Sequence, residues 1–137
     1  MRNRIATVLR VRALAERHAA RVLAGAERDV RAAERLVAHR RATAHPPPAA
    51  VSLRPVELRA LELQRLAGHE LVTEALGEEA AAHERRAALA RAWSLASMRR
   101  RSAEQLAERR ADAVAAAARA AADSALDEAA LLRWEAP

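Results

Sequence analysis

The sequence predicts an all-α fold: two long helices in an antiparallel coiled-coil hairpin, the second helix longer than the first. Three observations predict it. From Pro55 to about Trp134 there are some eighty residues with no further proline, rich in Ala, Leu, Arg and Glu. A cluster of three prolines, Pro46, Pro47 and Pro48, separates this run from a shorter helical arm. The third is composition: 52% of the chain is hydrophobic, yet Leu, Val, Ile, Met and Trp together supply only 31 of its 137 residues, Phe and Tyr are absent, and the remainder is alanine. Alanine is the best helix former but buries little area, so such a chain makes long helices with a thin seam rather than a multilayer core. The expected organisation is a single coiled-coil domain over 1–137, with a helix over 3–43, a Pro-rich turn over 44–54 and a helix over 55–134.

The first helix starts at Asn3, whose side chain suits an N-cap. Its apolar positions, Ile5, Val8, Leu9, Ala15, Ala19, Val22, Leu23, Ala26, Val30, Ala33 and Val37, step by threes and fours into one stripe. The arginines at 17, 21, 28, 31 and 35 mostly lie off that stripe, and Glu27 with Arg31 has the i,i+4 order that favours helix. The helix must stop near Ala44, because each proline lacks an amide and pushes its predecessor out of the α region. Ala49 to Arg54 reads as extended, and Pro55 suits a first helical position.

The second helix carries Val56, Leu58, Leu61, Leu63, Leu66, Leu71, Val72, Ala75 and Leu76, then Ala82, Leu89, Trp93, Ala96, Ala103, Leu106, Val114, Ala117 and Ala121, and finally Leu126, Leu131 and Leu132. A hairpin closing directly across the turn sets Val37 near Leu61, Val30 near Gly68, Val22 near Leu76, Leu9 near Leu89 and Ile5 near Trp93. Trp93 then fills the space opposite Ile5 and Val8. The second helix outruns the first by some thirty-five residues, roughly 50 Å, and the alanine-rich part of that overhang, Ala111 to Ala125, is mobile alone or completed by a partner. A three-helix arrangement broken at Gly77 is the structural alternative.

The net charge of +6 is carried by arginine alone. Residues 1–45 hold eleven Arg against four acids, and residues 46–137 hold thirteen against fourteen. A basic arm on a slightly acidic one is electrostatically consistent, although each surface pair contributes little. With no cysteine, disulfides, thiol chemistry and the common structural zinc sites are excluded. The apolar run Ile5 to Leu9 is too short for a signal-peptide core, and no stretch approaches the ~20 apolar residues that span a bilayer. A cytoplasmic protein is expected.

Little in the chain points to catalysis. His69-Glu70 and His83-Glu84 resemble fragments of a zincin helix, but Thr73 and Ala87 stand where the second histidine is required. The five histidines read as solvated helix-surface residues, so no metal and no cofactor is expected. Gly25, Gly68 and Gly77 form no phosphate loop, and the serines at 52, 94, 97, 102 and 124 form no hydrolase elbow. The chain is not expected to be an enzyme. Arg99, Arg100 and Arg101, followed by Arg109 and Arg110, form the densest basic run. Glu104 and Glu108 interrupt it and Trp93 is the only nearby aromatic, so a solvated face or an acidic-protein docking surface outweighs a nucleic-acid stripe. Trp134, beside Leu131 and Leu132, reads either as a partner anchor or as part of a frayed terminus.

The opening Arg4-Ile5-Ala6-Thr7-Val8-Leu9-Arg10-Val11-Arg12, with Glu16 and Ala19 following, resembles the start of the FliJ family, the stalk proteins of the flagellar type III export apparatus. Leu106 to Arg110, followed by Leu126-Asp127-Glu128-Ala129, is similar to that family's closing segment. Length, helix order and the mid-chain break agree, so the resemblance spans nearly the whole chain. It departs from the family in lacking the early aromatic and in its alanine-rich overhang.

The resemblance implies a coiled coil like the central stalk of rotary ATPases. It implies binding to the hexameric export ATPase FliI, linkage to the export gate protein FlhA, and handling of export chaperones, in the cytoplasm at the inner face of the cell membrane. By position, Leu63, Ala67 and Leu71 would form the gate-protein patch. Arg12, Asp127, Glu128, Leu131 and Trp134 would belong to the ATPase end, formed by the paired N- and C-terminal parts. The reading of another class is a basic helical nucleic-acid-binding or nucleoid-associated protein, motivated by a pI of about 11.4. A secreted helical hairpin of the WxG type is disfavoured, because Trp93-Ser94-Leu95 sits within a helix.

Overall fold

A computed structural model describes residues 2–44 and 54–134, as two helices: α1, Arg2–Ala44, and α2, Pro55–Trp134. They form an antiparallel all-α hairpin in which α2, 80 residues against 43, is the longer. The start of α2 follows directly from its sequence. Pro55 takes the first helical position, the Leu58 amide donates to the Arg54 carbonyl at 2.9 Å, and the Glu57 carboxylate turns back to accept from the Arg54 amide at 2.7 Å. Such reciprocal capping satisfies donors that a helix start otherwise leaves unpaired, and places a negative charge at the positive end of the dipole. At the other terminus of α1, Arg41 lies in the last turn, where a cation is favoured.

Two expectations are corrected at this level, and a third lies outside the described residues. Helix α1 begins at Arg2, one residue before the expected start at Asn3. Helix α2 runs without interruption through Gly77, so the three-helix alternative does not occur. The proline cluster and most of the expected extended connection, 45–53, fall outside the described residues.

The chain divides into two compact units, each built from a piece of α1 and a piece of α2: Arg17–Leu95, and Met1–Glu16 with Ala96–Pro137. Within the first, the buried residues are small: Ala26, Val30, Val37 and Ala44 from α1 meet Ala75 and Ala82 from α2, the last two only 2% exposed. Among the described residues no large side chain is fully buried. Leu58, Leu63, Leu66, Leu71, Leu76 and Val22 all stay exposed. Of the apolar positions expected to form the seam, Ala26, Val30, Val37, Ala75 and Ala82 are thus buried, while these larger groups are not. Interhelical distance is set by the side chains at the contact, and a seam of alanines draws the backbones together, leaving leucines at its flanks.

The register is accordingly different from that of a hairpin closed directly across the turn. Ala44, not Val30, lies against Gly68; a Cβ built on Gly68 would come 3.1 Å from the Ala44 Cβ. The displacement is fourteen residues, or two heptads. Glu34 then meets His83 and Glu27 meets Arg86. In the second unit Glu16 meets Arg100, and Ile5 and Leu9 share a groove with Ala103, Leu106 and Ala107 rather than facing Trp93 and Leu89. Trp93 remains 39% exposed. The excess length of α2 is therefore distributed between both ends: about thirteen residues precede the level of Ala44, and about twenty-four follow Arg110, the residue that shares the Arg4 groove.

Candidate interaction surfaces

In the unit of Met1–Glu16 with Ala96–Pro137, a polar layer interrupts the small-residue seam. The Glu16 side chain is only 16% exposed and accepts from Arg100 Nη1 at 2.7 Å. Arg100 Nε donates to Glu104 Oε1, one turn further along α2, at 2.9 Å. Ser97 is buried; its Oγ accepts from Arg101 Nη2 at 3.1 Å while its hydroxyl hydrogen-bonds the Glu16 carboxylate. That Ser97 bond is the main reason the Glu16 carboxyl titrates below its ordinary value, with Arg100 adding to it and burial working against it. Arg100 is pushed the other way, chiefly by Glu104 and then by Glu16. Two of the three arginines in the densest basic run are thereby committed to internal partners.

Next to this layer, Ile5, Val8 and Leu9 of α1 and Ala103, Leu106 and Ala107 of α2 line an open apolar groove of about 240 Å³, with Arg4 and Arg110 at its margin. Past Arg110, every described α2 side chain is exposed, including Val114, Leu126, Leu131 and Trp134, the last at 89%. The sequence-assigned ATPase end is only partly assembled. Asp127, Glu128, Leu131 and Trp134 share the exposed end of α2, but Arg12 does not join them. It precedes Glu16 by one turn, which in the antiparallel pairing places it near the level of Glu104, and Asp127 lies 23 residues further along α2, roughly 35 Å at 1.5 Å per residue. Helix α1 ends well before α2 does at this end, with about twenty-four α2 residues following Arg110.

In the unit Arg17–Leu95, the first turns of α2 present Val56, Leu58, Leu63, Leu66, Ala67 and Leu71 to solvent. The three residues assigned to the gate-protein patch, Leu63, Ala67 and Leu71, succeed one another at four-residue steps on one exposed helix face. The same unit holds a cluster that the sequence did not reveal. The donor atoms of Glu34, Glu79 and His83 all lie within 4.8 Å of one another. A search for HExxH looks along one helix, whereas this group takes one member from α1 and two, at i and i+4, from α2. Only the i,i+4 spacing of Glu79 and His83 was visible in advance.

Among the described residues no helix is long and apolar enough to cross a membrane. No family model, curated protein or solved structure matches the chain.

Proposed function

We propose that this chain is a coupling protein that binds different partners through the two ends of α2, and that its setting is the flagellar type III export machinery. The observation that carries the reading is the extension of α2 past α1 at both ends, each extension bearing uncovered large apolar side chains: Leu58, Leu63 and Leu66 at the start, Leu126, Leu131 and Trp134 at the finish. Exposed apolar surface on a helix, aromatic residues above all, is what partner helices and grooves recognise. The end motifs similar to those of the FliJ family supply the finer assignment. In it, the finish of α2 engages a FliI-like hexameric ATPase, and the Leu63–Ala67–Leu71 face engages an FlhA-like gate protein. Export chaperones are further partners, and contact with the membrane is peripheral, through those partners. No catalytic role is assigned to the chain itself.

The test is the ATPase rate and ring assembly of the cognate flagellar ATPase with and without the protein, repeated after removal of 126–137. Stimulation that disappears with that segment supports the stalk reading, and an ATPase indifferent to both forms rejects it. The nucleic-acid alternative has less behind it, because Arg100 and Arg101 are engaged by Glu16, Glu104 and Ser97. It predicts DNA binding that falls steeply with salt and is lost when Arg99, Arg100 and Arg101 become alanine.

A further inference from the structure

We propose that Glu34, Glu79 and His83 form a binding site for a divalent transition metal of the zinc class, bridging α1 and α2 within the unit Arg17–Leu95. This inference is independent of the export reading. Three features distinguish the group from ordinary acidic surface. The first is its donor set: one imidazole and two carboxylates is a combination that zinc accepts as three protein ligands, leaving a fourth position for water. Calcium and magnesium, which want oxygen ligands, are poorly served by it.

The second is convergence. Glu79 and His83 stand one turn apart on α2 and present neighbouring donors, while Glu34 approaches from α1 so that its Oε1 is 3.7 Å from His83 Nε2. All three donors fit within 4.8 Å. Ligands at 2.0–2.2 Å from a tetrahedral ion lie roughly 3.4 Å apart, so closing on the metal requires each pair to approach by no more than about 1.4 Å. The side chains have room for that movement, since those of Glu34 and His83 are about half exposed.

The third is support. The cluster flanks a buried part of the seam, near Val30, Val37, Ala75 and Ala82, so its ligands project from backbone held in place by packing. Arg31 and Arg86 line the same groove as Glu34 and His83. Arg86 is drawn toward Glu27 at 3.9 Å, which leaves Glu34 to His83. Zinc bound here would tie the two helices together in their observed register. The folded chain would gain stability, because the unfolded chain does not hold the three donors in one place.

The experiment is a calorimetric titration of the full-length protein with Zn²⁺, with Co²⁺ as the spectroscopic probe of coordination and Mg²⁺ as the oxygen-seeking comparison. The expected result is one Zn²⁺ per chain, a visible Co²⁺ spectrum of tetrahedral type, and a thermal unfolding midpoint that rises with Zn²⁺ and returns on chelation. His83→Ala and Glu34→Gln should each weaken Zn²⁺ binding by roughly tenfold or more, with unchanged helical circular dichroism. His18→Ala should leave binding as it is. Glu79→His, which offers a second imidazole at the same step, should tighten it. Absence of saturable one-to-one binding would overturn the site. So would binding that survives both His83→Ala and Glu34→Gln, or Mg²⁺ binding of equal strength that ignores His83.

Discussion

Gly68 and Gly77 both stand inside α2, where glycine costs about 1 kcal/mol relative to alanine, and they differ in what stands against them. Nothing lies within 4 Å of a Cβ built on Gly77. Gly77→Ala should therefore stabilise the protein by about 0.5–1 kcal/mol in denaturant unfolding. At Gly68 the added carbon would meet both the Cβ and the Cα of Ala44, at 3.1 and 3.2 Å, so the end of α1 must shift. The gain from Gly68→Ala should be smaller than at Gly77, or reversed; equal gains would contradict the close approach. Glu16 makes a second prediction at this scale. Its carboxyl is lowered in the folded protein, so its contribution is complete above the unfolded value and is lost as pH falls through the lowered folded one. Glu16→Gln should lower the thermal midpoint near neutral pH, and the difference from wild type should close on acidification through the carboxylate range. A difference that stays constant into strong acid would show that the charge plays no part. Neither role was legible in advance, because a glutamate among Ala and Leu reads as solvated until its partner 84 residues away is known.

At the scale of elements, the boundaries were readable and the pairing was not. Helices expected over 3–43 and 55–134 were found at Arg2–Ala44 and Pro55–Trp134, because proline chemistry acts locally and is unambiguous. Register depends on which of forty alanines meet, and an alanine at the seam looks no different from one facing water. Closing the hairpin directly across the turn led to the pairing of Val30 with Gly68, two heptads away from the observed one. Even the charges run opposite to the composition. Helix α1 is the basic one, yet two interhelical ion pairs among the described residues join its acids Glu16 and Glu27 to Arg100 and Arg86 of α2, and a third acid, Glu34, lies beside His83. The register can be tested without background, since the chain contains no cysteine. Ala44→Cys with Gly68→Cys starts from Cβ positions 3.1 Å apart, which the small shift of α1 that Gly68 substitution requires opens toward the disulfide separation of about 3.8 Å, and the pair should crosslink on mild oxidation. Val30→Cys with Gly68→Cys should not, and the opposite outcome would restore the directly closed hairpin. In the same seam, Ala82→Leu should destabilise by about 1–3 kcal/mol through overpacking, read as a lower denaturant midpoint.

For the whole molecule, composition alone carried the fold class: abundant alanine, few large apolar residues and a single proline cluster leave little besides long helices paired along a thin seam. Function was less legible, because helices without a deep pocket display only faces, and faces are interpretable once it is known which of them are covered. Covering α2 by α1 leaves two separate uncovered stretches, the features on which the coupling role rests. The most direct test is therefore a pair of binding measurements, to the flagellar export ATPase and to the export gate protein, on the wild-type chain and two variants. One variant lacks 126–137 and the other carries Leu63→Ser with Leu71→Ser. The coupling account predicts that the first loses the ATPase and keeps the gate protein, and that the second does the reverse. Loss of both partners in either variant, or binding of neither partner by the intact chain, would contradict it.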